Sequence, residues 1–332
     1  MARAITFITN QWGDYTLDAV CRVASQFGYD GLELSGGVHI DVQRAAKDIC
    51  YANSVVETLS QFNLSCWAIS GHLCGQCVGD MYDIRLDNFV PKSVQGKPKA
   101  IQEWAINEIC QTARAANNIG AGIVTGFMGS PVWKFWYSFP QTTDKMIDNA
   151  YDEIYELWTP IFDVFDECGI RFALEVHPTE IAFDYYTTER LLKRFNYRKT
   201  LGINFDPSHL LWQGVNPAVF VRDFRDYIVH VHMKDVAISN DDRSGILGSH
   251  LAFGDTRRKW NFRTLGRGNV NFEEIIRELN NAGYSGPLSV EWEDSGMDRI
   301  TGLKESIDFV RKYNFSASEV AFDAAIANKD NI

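Results

Sequence analysis

A short apolar run, a loop and a longer stretch with apolar residues at helical spacing follow one another eight times along this chain. Few folds accept such a pattern. The strand candidates are Ala4–Thr9, Gly31–Leu34, Ser65–Ser70, Ile123–Phe127, Arg171–His177, Thr200–Asp206, Ile228–Lys234 and Leu288–Glu293. Helix candidates between them include Leu17–Phe27, Ile101–Asn118, Met146–Glu167, Ala218–Tyr227, Phe272–Ala282 and Leu303–Tyr313. Glycine closes several of these and leads straight into the next strand, at Gly28, Gly169 and Gly283, as a helix C-cap should. Strict βα alternation calls for a parallel sheet, and eight units favour closure into a single (β/α)8 barrel. An open doubly wound sheet would need a glycine-rich phosphate loop after its first strand, and Thr9-Asn-Gln-Trp-Gly13 is not one.

The chain has 332 residues, a length that barrels reach as one domain. We expect the barrel over residues 1–315 and a C-terminal extension, 316–332, forming a helix packed on the outside or on a partner. Three βα loops are long: Gly71–Pro98, Gly129–Lys145 and Val236–Arg263. On a barrel they emerge at the C-terminal rim, where substrate pockets are shaped. With 45% hydrophobic residues a large core can form. A net charge of −11 argues against nucleic acid or a membrane surface as partner. No apolar run is long enough to span a bilayer, and the opening Met1-Ala-Arg-Ala-Ile-Thr lacks the apolar region of a signal peptide. The expected compartment is the cytoplasm. Seven scattered cysteines are no disulfide framework, and Cys74-Gly-Gln-Cys77 reads as loop sequence in a reducing compartment.

Ionisable residues concentrate inside the last four strand candidates. Alternate residues of a strand share a face. Glu175 and His177 therefore oppose Phe172, Leu174 and Val176, while Asn204 and Asp206 oppose Ile203 and Phe205. His230, His232 and Lys234 oppose Val229, Val231 and Met233, and Ser289, Glu291 and Glu293 oppose Leu288, Val290 and Trp292. Four consecutive strands thus send Glu/His, Asp, His/Lys and Glu/Glu into one interior, where the carboxylates need a compensating cation. A divalent metal meets that need better than salt bridges, because few arginines share those faces. Oxygen-rich ligands with one imidazole suit Mn²⁺ first, with Mg²⁺, Co²⁺, Fe²⁺ or Zn²⁺ also compatible.

The motifs Glu175-Val-His-Pro178, Asp206-Pro-Ser-His209, His232-Met-Lys-Asp235 and Ser289-Val-Glu291 resemble those of the xylose-isomerase-like barrels. That superfamily includes tagatose and psicose epimerases, inosose-processing enzymes, hydroxypyruvate isomerase and abasic-site endonucleases. The resemblance runs from Tyr29-Asp-Gly-Leu-Glu33 to Leu303–Tyr313. It implies one metal bound by Glu175, Asp206, His232 and Glu291, with His209 close to substrate or metal. Glu293 shares the facing of Glu291, and the resemblance alone selects Glu291. The spacing from Asp206 to His232 suits the epimerases, whereas that from His232 to Glu291 is stretched by the Val236–Arg263 loop. The endonuclease branch needs a basic rim that this acidic chain lacks.

Such a metal would polarise a carbonyl and acidify the neighbouring C–H, and a carboxylate on each side could remove and return the proton. Glu175 and Glu291, with His177, are the catalytic candidates. His209 and Lys234 would bind substrate, as would Glu33 and His72 at the mouth and Trp136 in the aromatic stretch Pro131–Phe139. The expected function is isomerisation or epimerisation of a keto-sugar, ketose or keto-inositol through an enediolate, by a homo-oligomer. The chain is also similar to the barrel (alpha) subunit of bacterial C-glycoside deglycosidases. These lyases pair it with a small β-rich subunit and cleave 3-oxo-C-glycosides of aryl compounds. A metal-free carbohydrate-binding barrel is the remaining alternative, and metal analysis separates it from both.

Overall fold

The computed structural model describes residues 2–320 and residue 324. Among the described residues there are ten strands: β1 Ile5–Ile8, β2 Gly31–Ser35, β3 Ser65–Ser70, β4 Ile123–Gly126, β5 Arg171–Glu175, β6 Leu201–Phe205, β7 Ile228–Met233, β8 Asp235–Ile238, β9 Trp260–Arg263 and β10 Leu288–Val290. Eight of them close into a parallel barrel in the order β1-β10-β7-β6-β5-β4-β3-β2. Closure is made by β1, which aligns Ile5 with Leu288 on one side and Thr6 with Gly31 on the other. The (β/α)8 expectation is met, as one barrel domain.

The outer layer forms because each helix buries one apolar stripe against the strands. Helix Asp144–Cys168 shows how: Trp158, Phe162 and Phe165 are fully buried, and Trp158 packs 4.8 Å from Phe172 of β5 between ring centroids. Each such side chain contributes about 1.5–3 kcal/mol by leaving water. Starts and stops are set locally. Thr16 accepts a hydrogen bond from Ala19 N to open helix Leu17–Phe27, and Gly28 closes it at φ 80°, a left-handed turn that costs a glycine little.

Several expectations need correction. Residues 72–79 form a helix, not loop, so Cys74 and Cys77 lie on its buried side as free thiols. Burial pushes the Cys77 thiol up to about 12, which removes the thiolate that redox chemistry needs. That helix carries glycine at 75 because a Cβ there would lie 2.1 Å from the carbonyl oxygen of Phe127. The Val236–Arg263 insertion is no plain loop: β8 and β9 pair antiparallel across it and bury Val236, Trp260 and Phe262 in a small core of their own. Residues 316–320 are exposed and non-helical, and residues 321–323 and 325–332 lie outside the described residues. Among the described residues no helix is long and apolar enough to cross a membrane.

Candidate metal centre

The strands β5, β6, β7 and β10 are consecutive around the barrel, and their C-terminal ends bring Glu175, Asp206, His232 and Glu291 together. One potential ligand atom from each lies within 4.8 Å of the others, and all four residues are buried. Only Glu175 and His232 are strand residues. Asp206 is the N-cap of the short helix Pro207–Trp212, with Oδ1 accepting from Ser208 N at 2.8 Å and Ser208 Oγ at 2.7 Å. Glu291 stands one residue past β10.

The interior is charged on both signs. Burial raises the Glu175 carboxyl, but His232, His209 and His72 outweigh it and hold the group well below the usual carboxylate range. Glu291 is likewise pushed up by burial and brought down, chiefly by Lys234, to about 2. Burial opposes protonation of His232, yet Glu33, Glu291 and Glu175 around it keep it well above the usual imidazole range. In Lys234 the same contest with Glu291 and Glu293 ends with the ammonium retained, 2.7 Å from Glu293 and 3.2 Å from Glu291. As the sequence suggested, no arginine reaches these carboxylates among the described residues; Lys234 and the imidazoles of His72, His209 and His232 are their neighbours. Asp206 is the exception. Its Oδ2 is buried without a hydrogen-bond partner, and burial pushes the carboxyl up to about 6 despite His209 and Lys234. An orphaned carboxylate oxygen facing two more carboxylates and an imidazole is the donor set a divalent ion fits.

Around this set, His72 Nε2 lies 3.0 Å from Glu175, with its Nδ1 2.7 Å from Ser70 Oγ. His209 Nε2 is 3.3 Å from Glu175 and 3.4 Å from Asp206. The ring of His177, past the end of β5 rather than in it, packs 4.1 Å from that of His209. Lys234 has Phe262 over its ammonium at 4.2 Å, so the unforeseen β8–β9 hairpin roofs the site. Two further contacts escaped sequence reasoning: Asn204 donates to Glu175 at 3.0 Å, and Gln11 donates to Glu293 at 3.2 Å. Asn204 had shown its inward facing by alternation, whereas nothing marked Gln11.

Two expected substrate contacts sit elsewhere. Glu33 is 0% exposed and lies inside the barrel beneath His232, not at the mouth. Trp136 is half exposed and lines a side cavity of about 390 Å³ with Trp133, Phe183, Tyr186 and Arg190, and no residue of the metal set borders it. His72 borders a second cavity, of about 460 Å³, with Asn10, Ser70, Phe89 and Trp104, and no residue of the metal set borders that one either.

A closed barrel with acid–histidine chemistry at its C-terminal rim defines the class of protein. Residues 21–313 match the xylose isomerase-like TIM barrel family model, and the chain belongs to that family. It is 22% identical over 329 residues to the uncharacterized protein YfiH of Bacillus subtilis, covering 93% of this chain and 98% of that protein. An inosose dehydratase of Clostridium botulinum is 25% identical over 172 residues, 51% of this chain and 54% of its own length, so that match spans about half of each. Among solved structures, the 3-keto-D-glucoside 4-epimerase YcjR of E. coli superposes with a TM-score of 0.65 at 15% identity, covering 93% of this chain and 99% of the other. These neighbours support an enzyme of the sugar-modifying kind.

Proposed function

We propose that the chain takes a proton from the carbon beside the carbonyl of a keto-sugar, ketose or keto-inositol and returns it, as an isomerase or epimerase. The observation that carries this reading is the convergence of Glu175, Asp206, His232 and Glu291 around one point, with an orphaned Asp206 oxygen. A divalent ion held there, Mn²⁺ by preference, would polarise the carbonyl and acidify the neighbouring C–H. Glu175 and Glu291 enter from strands on either side of His232 and serve as proton carriers, one to remove and one to return. Lys234, held charged, and His209 would hold the oxygen on which negative charge develops in the enediolate, with His177 steadying His209. His72, with Asn10 and Ser35 of the cavity beside it, would receive the substrate's hydroxyls, and Phe262 over Lys234 would exclude water.

A second reading is elimination from the same enolate. It is favoured by Lys234, an ammonium inside the site able to protonate a leaving group, and by the dehydratase among the relatives. Expulsion of an aryl group from a 3-oxo-C-glycoside, with a small partner subunit, is the form that the aromatic side cavity would favour. Incubation in D₂O with a panel of ketoses, keto-inositols and 3-oxo-glycosides tests both. Deuterium beside the carbonyl without loss of a group supports the isomerase, and release of water or a phenol supports the lyase. Turnover with full retention of the original hydrogen contradicts both.

A further inference from the structure

His232 belongs to two groups of buried residues that could each hold a metal, the set above and Glu33, His230 and His232 below it. Its two ring nitrogens face them separately. Nδ1 is 3.1 Å from both Glu175 and Glu291, and Nε2 is 3.0 Å from Glu33 Oε2. A neutral imidazole offers one lone pair, so only one group can be filled through it.

Hydrogen bonding decides which. Glu33, projecting inward from β2, also faces His230 Nε2 at 2.9 Å and accepts from Ser289 Oγ at 2.9 Å and Thr125 Oγ1 at 2.5 Å. With His232 that makes four donors drawn from β4, β7 and β10 around one carboxylate. Glu33 therefore has no oxygen lone pair left wanting, whereas Asp206 Oδ2 in the upper group has no partner. An ionised carboxylate only accepts, so the bond from His232 to Glu33 keeps a hydrogen on Nε2, and when the ring turns neutral on binding an ion the lone pair falls on Nδ1.

We propose that Glu33 is the positioning residue of the metal centre: it fixes the tautomer and ring orientation of His232, so that Nδ1 is the ligand atom and the upper group alone binds the ion. The inference rests on the metal reading given above. Histidine ligands oriented by a buried carboxylate are a recurrent device, and loss of that carboxylate costs about 10–100-fold in metal affinity. The anchor itself is held by Ser289, Thr125 and His230, which leaves it one position.

The test is Zn²⁺ titration by calorimetry of the wild-type chain and of Glu33→Gln, with histidine side-chain nitrogen NMR of the Zn²⁺-loaded proteins and thermal unfolding of the metal-free ones. We expect Glu33→Gln to bind Zn²⁺ about 10–100-fold more weakly, with the Nε2-protonated tautomer of His232 no longer dominant. A variant that binds within twofold of wild type with His232 unchanged overturns the inference while leaving the metal reading intact. So does a variant whose unfolding midpoint drops while the affinity of the folded protein holds, since that is a structural role only. Should Glu33→Gln fail to fold, Ser289→Ala removes a single donor from Glu33 and is expected to weaken binding on the order of threefold. Unchanged affinity there overturns the inference. A wild-type chain that binds no Zn²⁺, Mn²⁺ or Co²⁺ contradicts the metal reading itself.

Discussion

Replacing Glu175 by glutamine separates its chemical roles from its structural one. Glu175 Oε2 lies 3.0 Å from His72 Nε2, 3.0 Å from Asn204 Nδ2 and 3.1 Å from His232 Nδ1. The carbonyl oxygen of a glutamine can take that position and keep the Asn204 bond. Its amide then faces His209 Nε2, 3.3 Å from the present Oε1. The fold therefore survives, and His232 keeps Glu33 and Glu291 as partners. What is lost is an anionic ligand and a proton acceptor together. Removing general acid/base catalysis alone costs about 10²–10⁴-fold. We expect a loss on the order of 10³ or more in turnover, equivalent to about 4 kcal/mol of barrier. His177→Asn and Lys234→Met should each lose far less. The assay is the initial rate of deuterium incorporation from D₂O, read with the metal content of each protein. A Glu175→Gln variant within tenfold of wild-type turnover refutes the reasoning.

Glu291 and Glu293 share a facing, but Glu293 is partly exposed and bound to Lys234, whereas Glu291 joins the metal set. Glu291→Gln should lose the metal and Glu293→Gln should retain it, and elemental analysis of the two variants reversing that order would reassign the ligand. Asp80 is partly buried, accepts from Ser130 N at 2.8 Å and Gln76 Nε2 at 2.9 Å, and desolvation pushes its carboxyl up to about 6. A folded-state value above the unfolded one gives stability that is present below pH ~4 and lost as pH rises through about 6. Asp80→Asn should remove that loss, so between pH 4 and 7 the wild-type unfolding free energy should fall by roughly 2–3 kcal/mol more than the variant's. Equal pH slopes in denaturant titrations would contradict the burial argument.

The barrel was legible because each strand's apolar face and each helix's stripe repeat with different periods, and eight repeats leave little freedom in topology. Period-two alternation also placed Asn204, His230 and His232 in the interior. It failed where strands stop. His177, Glu291 and Glu293 were read as strand residues, yet β5 ends at Glu175 and β10 at Val290, and the chain turns inward by other means. Thr179, two residues beyond His177, takes φ 124°, a conformation that no pattern of apolar residues announces. Alternation gives facing but not depth along the barrel axis, and for that reason Glu33 was expected at the mouth and lies beneath His232. Helix His72–Gly79 stayed hidden because Gly75 and Gly79 are poor helix formers whose use depends on the backbone they pack against. The β8–β9 hairpin was absorbed into the neighbouring loop because each strand has only four residues.

Anomalous diffraction from crystals grown with Mn²⁺, recorded at the manganese edge, tests the metal centre most directly. A single strong peak per chain is expected, ringed by Glu175, Asp206, Glu291 and Nδ1 of His232. No peak at that point, or one between Glu33, His230 and Nε2 of His232, would contradict it.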